Sequence, residues 1–258
     1  MTGPALREIR NHLKKEKPLK DAKFLSRYVG SVGHEDRSYD EQSRLKFLGY
    51  SMPQVNAFAK YDYSFTSLDP QDQLRIWLDL YHGSDTHDEL SIALSWMSRP
   101  KNMPLLLKNP RELFRLQNRV DNWATSDSVS DLVAAYSEVN PAAHLKQLQK
   151  WNRSKNPWER RQSLVGAYCY ARKRKKPIAA SKVFPLIENL IGDSHFFVQK
   201  AVGWALREVE QVDPQGQRKF LRQHLYDLSS AAYTTATEKF PVAEKSKLKA
   251  LRKEKRRR

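Results

Sequence analysis

The most constraining feature of this chain is how regularly helix-start signals interrupt it. At Asp69-Pro70 and Asn140-Pro141 a short polar side chain stands directly before a proline. That pairing suits a helix start, because the first residue can accept a free backbone N–H and proline at the first helical position loses no hydrogen bond. Gly192-Asp193 reads as the end of one helix and the cap of the next. Between such signals apolar residues recur every three or four positions, and the alternation of strands is scarce. Only nine glycines occur in 258 residues, which also favours helix. The pattern predicts helices over 4–15, 19–30, 40–48, 53–62, 70–82, 86–98, 104–119, 126–138, 141–151, 157–174, 179–191, 194–209, 214–226 and 229–238.

Helix 194–209 is the best defined, with Phe197, Val198, Ala201, Val202, Ala205 and Leu206 on one face. Helix 179–191 offers Val183, Phe184, Ile187, Leu190 and Ile191 on a matching face. The connections are short, so neighbours are expected to pack antiparallel. Serial hairpins of roughly 35–45 residues are the pattern of an all-α solenoid. No clean sequence repeat accompanies it, and a compact helical bundle stays open as the alternative. Residues 1–243 are expected to form one helical domain, followed by a basic tail over 244–258.

Charge narrows the partners. The chain carries 46 Lys and Arg against 29 Asp and Glu, a net charge of +17. Such an excess attracts polyanions, most simply nucleic acid, with anionic membrane as the competitor. No apolar run approaches the roughly 18 residues that span a bilayer, and the Lys- and Arg-rich first twenty residues lack a signal-peptide core. The lone cysteine, Cys169 between Tyr168 and Tyr170, forms no internal disulfide and fits a reducing cytoplasm. Between Leu145 and Lys182 there are twelve basic residues and one acid, Glu159. The tail adds a net +7, so the remaining 243 residues hold +10 without it. A basic surface on the folded domain is expected. The tail reads equally as a solvated helix extension or as a phosphate-binding arm.

Familiar catalytic patterns are missing: there is no phosphate-binding glycine loop, no Gly-x-Ser-x-Gly elbow and no His-Glu-x-x-His. His82 and His87 flank Gly83-Ser84-Asp85, which fits a helix-start loop better than a metal site. What remains is Trp123 with Asp127, one helical turn apart, then Trp158-Glu159-Arg160-Arg161, then Trp204 with Arg207. Each has a plain structural reading. Asp127 could cap helix 126–138, Trp158 could pack at a helix start, and Trp204 could be half-buried core.

Taken together these blocks carry a resemblance. Asp193-Ser194-His195-Phe196-Phe197-Val198-Gln199-Lys200-Ala201-Val202-Gly203-Trp204-Ala205-Leu206-Arg207-Glu208 resembles the signature of the HEAT-like-repeat alkylpurine DNA glycosylases, the AlkD family. Asn156-Pro157-Trp158-Glu159-Arg160-Arg161 and Asp121-Asn122-Trp123 with Asp127 match in order and approximate spacing. Phe47 through Pro53, and Trp77 through Glu89, are weaker echoes, and the likeness spans about residues 40–240. Asn122 departs from the pattern, since some members carry a second tryptophan there, and the basic tail is not a family hallmark.

The resemblance implies a right-handed superhelix of HEAT-like hairpins with a concave basic face for DNA. It implies a catalytic aspartate at Asp127, active-site tryptophans at Trp123 and Trp204, and an arginine near the aspartate and the backbone at Arg161. Backbone contacts are expected from Lys150, Arg153, Arg160, Arg172, Lys173, Arg174, Lys175, Lys176, Lys200 and Arg207. The implied reaction is hydrolysis of the N-glycosidic bond of cationic N3- or N7-alkylated purines in duplex DNA, with the lesion still stacked. It needs neither metal nor organic cofactor. A cytoplasmic monomer acting on double-stranded DNA without a membrane is the expected setting. Some relatives bind DNA without excising bases, so a non-catalytic binder of distorted or branched DNA stays open, as does a protein-interaction scaffold.

Overall fold

The computed structural model describes residues 2–30, 43–169 and 173–255. Among them the protein is all-α, with one isolated backbone bridge between Lys46 and Thr86 as the exception. Its backbone groups into two compact units, Met1–Leu132 and Val133–Arg258. No helix among the described residues is long and apolar enough to cross a membrane.

The first unit holds α1 (Thr2–Lys15), α2 (Ala22–Gly30), α3 (Met52–Phe58), α4 (Pro70–Gly83), α5 (His87–Met97), α6 (Met103–Leu107) and α7 (Pro110–Arg115). Helix α8 (Trp123–Tyr136) begins in this unit and its last residues belong to the second. The α4–α5 pair is the centre: α1 and α6 pack on α4, and α3 on α5. Trp77 of α4 stacks on Trp96 of α5 at 5.7 Å, and both rings are buried. Fully burying a side chain of Leu or Ile size stabilises by roughly 1.5–3 kcal/mol, so Leu80, Leu90, Ile92 and Met97 around this seam carry much of the unit.

The second unit continues with α9 (Pro141–Asn152), α10 (Pro157–Tyr168), α11 (Ala180–Glu188), α12 (Phe196–Val209), α13 (Pro214–Gln223), α14 (Ser230–Ala236) and α15 (Val242–Lys255). Helices α10, α12 and α14 stack in series, while α9 and α11 pack on α10, and α11 and α13 on α12. This serial arrangement is that of HEAT-like repeats. Val198, Ala201, Val202, Ala205 and Leu206 of α12 are buried, as the periodicity predicts. Gly203 sets how closely α12 and α14 approach. A Cβ there would press on the Ala232 carbonyl oxygen and lie 2.7 Å from Thr235 Cβ.

The helix-start signals work as side-chain caps. Asp69, Asn140, Asn156, Asp213 and Ser229 each accept a backbone N–H from the first turn of the helix they precede. Several expected boundaries differ. The predicted helix 104–119 is broken at Asn109-Pro110, because the residue before a proline leaves the helical region, and Asn109 sits at φ −118°, ψ 68°. Helix 157–174 stops at Tyr168, where Cys169 turns to φ −49°, ψ 110°. Segment 43–50 is not helical, as 40–48 was expected to be; Asp88 accepts the backbone N–H groups of Leu48 and Tyr50, and Lys46 bridges to Thr86. Residues 40–42 lie outside the described residues. Asp193 does not cap α12 directly. Its carboxylate accepts the His195 N–H, and the helix begins at Phe196. Most of the stretch expected as a tail is helix α15.

Two predictions follow from this packing. Gly203→Val should destabilise by about 1–3 kcal/mol or more, because the added carbons meet backbone on α14; urea unfolding measures the loss. His144 is fully enclosed on α9, its Nε2 donating to the Gly166 carbonyl oxygen at 3.0 Å. Burial is the main reason its pKa falls to about 4, so the folded protein holds it neutral. The unfolded chain therefore takes up this proton first as pH falls. Stability should be fully present above the ordinary value of about 6.5 and decline toward pH 4, by at most about 3 kcal/mol. His144→Gln should flatten the part of that decline between about pH 6.5 and 5, above the range where carboxylates titrate.

Candidate active site

In the first unit the candidate residues gather around the cap of α8. The Asn122 side chain accepts the Thr125 N–H at 2.9 Å, so the helix starts at Trp123, one turn earlier than the expected 126. Asp127 is thereby placed in the second turn and is not the capping residue. Trp123 and Asp127 are four residues apart on one face, and both are half-buried. Trp123 is held in place by α2. Its indole Nε1–H donates to the Tyr28 carbonyl oxygen at 3.1 Å, and the Tyr28 ring stands edge-on to it at 5.6 Å. Phe24 stacks on Tyr28 at 5.7 Å, and both of these rings are exposed.

The start of α8 rests on a polar floor. Thr125 Oγ1 lies 3.4 Å from Nδ1 of His87, and Ser91 Oγ lies 3.3 Å from its Nε2. Phe47 stacks on the imidazole at 4.8 Å. Burial lowers the pKa of His87, against the opposing pull of Asp88 and Asp121, so the ring is neutral at neutral pH. Asp121, just before the cap, accepts from the Ser43 hydroxyl and the Arg44 N–H at 2.8 Å each. His87 therefore supports the start of α8, from the first position of α5.

The second unit brings Arg161, Trp204 and Arg207 together. Arg161, on α10, is only 4% exposed, and its Nη1 donates to the Phe197 carbonyl oxygen at 3.0 Å. Its guanidinium carbon lies 5.9 Å from the ring centroids of both Phe197 and Trp204. Arg207 approaches the same indole at 5.7 Å, so two guanidinium groups attend one half-buried ring. The Trp204 Nε1–H donates to Glu208 at 3.3 Å. Trp158, the helix-start tryptophan, is buried against Phe197 at 5.2 Å and His195 at 5.8 Å. It shapes the wall behind Arg161.

The basic residues sort into two groups. Arg160 forms a two-pronged pair with Asp193, and Arg207 bonds to Glu238 at 2.6 Å. Arg174 reaches the Cys169 carbonyl oxygen. These arginines brace the fold as well as carrying charge. Lys150, Arg153, Lys173, Lys175 and Lys176 are exposed, and Lys200 is half-buried. The Lys175 and Lys176 backbone N–H groups donate to Glu138, which ties this cationic segment to the end of α8. Arg172 lies outside the described residues. Sequence reasoning missed Phe24 and Tyr28. Their four-residue spacing on one face of α2 was visible, but nothing local says that Trp123, 95 residues away, leans on them.

No curated protein matches the chain. A solved structure described as a predicted DNA alkylation repair enzyme from Enterococcus faecalis shares the fold, with a TM-score of 0.59 at 18% identity. The match covers 77% of this chain and 90% of that one. The family model for DNA alkylation repair enzymes matches residues 9–240, a span that contains every helix from α2 to α14 and all the residues of both clusters. The chain belongs to the DNA alkylation repair enzyme family.

Proposed function

We propose that the protein is a DNA glycosylase that releases cationic N3- or N7-alkylated purines from duplex DNA. The observation that carries this reading is the Trp123–Asp127 pair: a carboxylate one turn from an indole whose edge is fixed by Tyr28, in a chain of net charge +17. Alkylation at N3 or N7 makes the purine cationic and a good leaving group. As its bond to C1′ breaks, the electron pair goes to the purine and positive charge develops on the deoxyribose. The Asp127 carboxylate stabilises that charge and orients a water whose oxygen bonds to C1′. The water loses a proton to the carboxylate or solvent, and the products are a neutral alkylpurine and an abasic site.

Trp123 offers an electron-rich face to the cationic sugar and base, a contact worth about 0.5–2 kcal/mol, and the family resemblance gives Trp204 the same role. Enclosure of Arg161 between Phe197 and Trp204 supports a positioning role for it: it holds the indole. Lys150, Arg153, Lys173, Lys175, Lys176 and Lys200 meet phosphates without reading sequence, and Arg160, Arg174 and Arg207 shape the surface they stand on. The concave, basic superhelix belongs to this reading. No metal or organic cofactor enters it.

Asp127→Asn should reduce release of 7-methylguanine from methylated duplex by about 10²-fold or more while leaving duplex affinity within a few-fold. Chromatography of the freed bases measures the first and a fluorescence titration the second. Unchanged release removes Asp127 from the mechanism, and a wild-type protein that binds duplex but frees no base is a non-catalytic binder. Reversing Lys150, Lys175 and Lys176 to Glu should weaken binding to any duplex and shallow its salt dependence by roughly 0.9 per lost phosphate contact. An unchanged slope would mean that DNA lies against another face.

A further inference from the structure

We infer that the outward face of α15 is a second duplex-DNA contact surface, outside the region that defines the family. The family match ends at residue 240, and α15 begins at Val242. This inference rests on duplex DNA being the substrate of the protein.

The helix is docked and does not trail free. Leu248 is buried, and Arg252, one turn on, is 9% exposed. The Arg252 guanidinium donates to the Leu225 carbonyl oxygen at 2.7 Å and the Leu228 carbonyl oxygen at 2.9 Å, closing the turns that follow α13. It also lies 4.5 Å from the centre of the Tyr233 ring on α14. Farther up the helix, Glu244 accepts from Arg218 at 3.1 Å, and Lys245 Nζ donates to the Glu238 carbonyl oxygen. These contacts fall at 244, 245, 248 and 252, the spacing of a single helix face.

The basic residues of α15 are thus divided by the docking. Lys245 and Arg252 point inward and satisfy carbonyl groups at the ends of neighbouring helices. Lys247, Lys249 and Lys253 remain exposed, with Glu254 as the one acid among the exposed positions of the described helix. Lys249 and Lys253 are four residues apart and form a stripe. A stripe of ammonium groups on a helix fixed to the fold meets a phosphate backbone without first losing chain entropy, unlike a flexible tail. It carries no groove-reading amide or arginine fork, so the contact is to phosphate and indifferent to sequence. Position supports the same partner: α15 holds α14, α14 packs on α12, and α12 carries Trp204.

The test compares the wild-type chain with the Lys247→Gln/Lys249→Gln/Lys253→Gln protein and with a Lys→Arg triple at the same positions. The measured quantity is the salt dependence of affinity for an undamaged 25-base-pair duplex. The Gln protein should bind about tenfold more weakly, with a log–log salt slope shallower by roughly 2 to 3, near 0.9 for each phosphate lost. The Arg protein should keep the wild-type slope. Single-turnover release of 7-methylguanine at saturating enzyme should be the same in all three, because α15 holds none of the proposed catalytic groups. An unchanged slope in the Gln protein overturns this inference and leaves the glycosylase reading standing. Loss of binding only to phosphatidylglycerol vesicles, with DNA affinity intact, also overturns it and assigns the stripe to a membrane surface. A wild-type protein that binds no duplex overturns both readings.

Discussion

Helix α12 has to do two incompatible-looking things along one cylinder, and the second unit is arranged around that demand. Its inner face must press against α10 and α14 closely enough to exclude water, while Trp204 must stay at the edge of the packed layer. Gly203 reconciles them. The missing Cβ lets the α14 backbone come in beside Ala232, and the indole at the next position leaves the seam sideways instead of filling it. Val202 and Ala205 then complete the seal above and below.

A ring at such an edge would ordinarily sample several rotamers. Here it is braced by Glu208 on its N–H and by guanidinium groups from Arg161 and Arg207. Arg161 in turn donates to the Phe197 carbonyl oxygen at the first turn of α12, whose second lone pair stays open beside the helix's own hydrogen bond. Trp123 is held by the same kind of logic in the first unit. Its N–H is taken by a backbone carbonyl of α2 and its edge by Tyr28. Fixed aromatic faces suit a reaction that develops positive charge, because they need not reorganise as the charge appears.

The large positive charge is not spread as one uniform surface. Carboxylates select which cations belong to the fold: Asp193 takes Arg160, Glu238 takes Arg207, and Glu210 with Glu244 takes Arg218. The guanidinium of each pair is partly enclosed, and its planar fork matches a carboxylate. Lysines make up most of the exposed remainder in the 145–182 zone and in α15. A flexible, strongly hydrated ammonium is the better group for a sliding, sequence-blind grip on phosphate.

The proline-marked helix starts, the burial of the α12 stripe and the Trp123–Asp127 spacing were readable from residues alone, since caps, prolines and three-to-four periodicity act over a few positions. The break at Asn109-Pro110 is equally local, although the apolar pattern runs through it. Segment 43–50 was not readable, because its conformation is set by Asp88 and Thr86, some forty residues away. For the same reason no reading of the sequence could separate Arg160 and Arg207, which are tied to acids, from Lys150 and Lys176, which are displayed. Sequence by itself determined that this chain is a series of short amphipathic helices with an excess of cations, because hydrophobic period and formal charge need no neighbours. Only the tertiary structure decided which indoles are braced at an edge and which cations face water, because those outcomes depend on carbonyls and carboxylates that folding brings from distant turns.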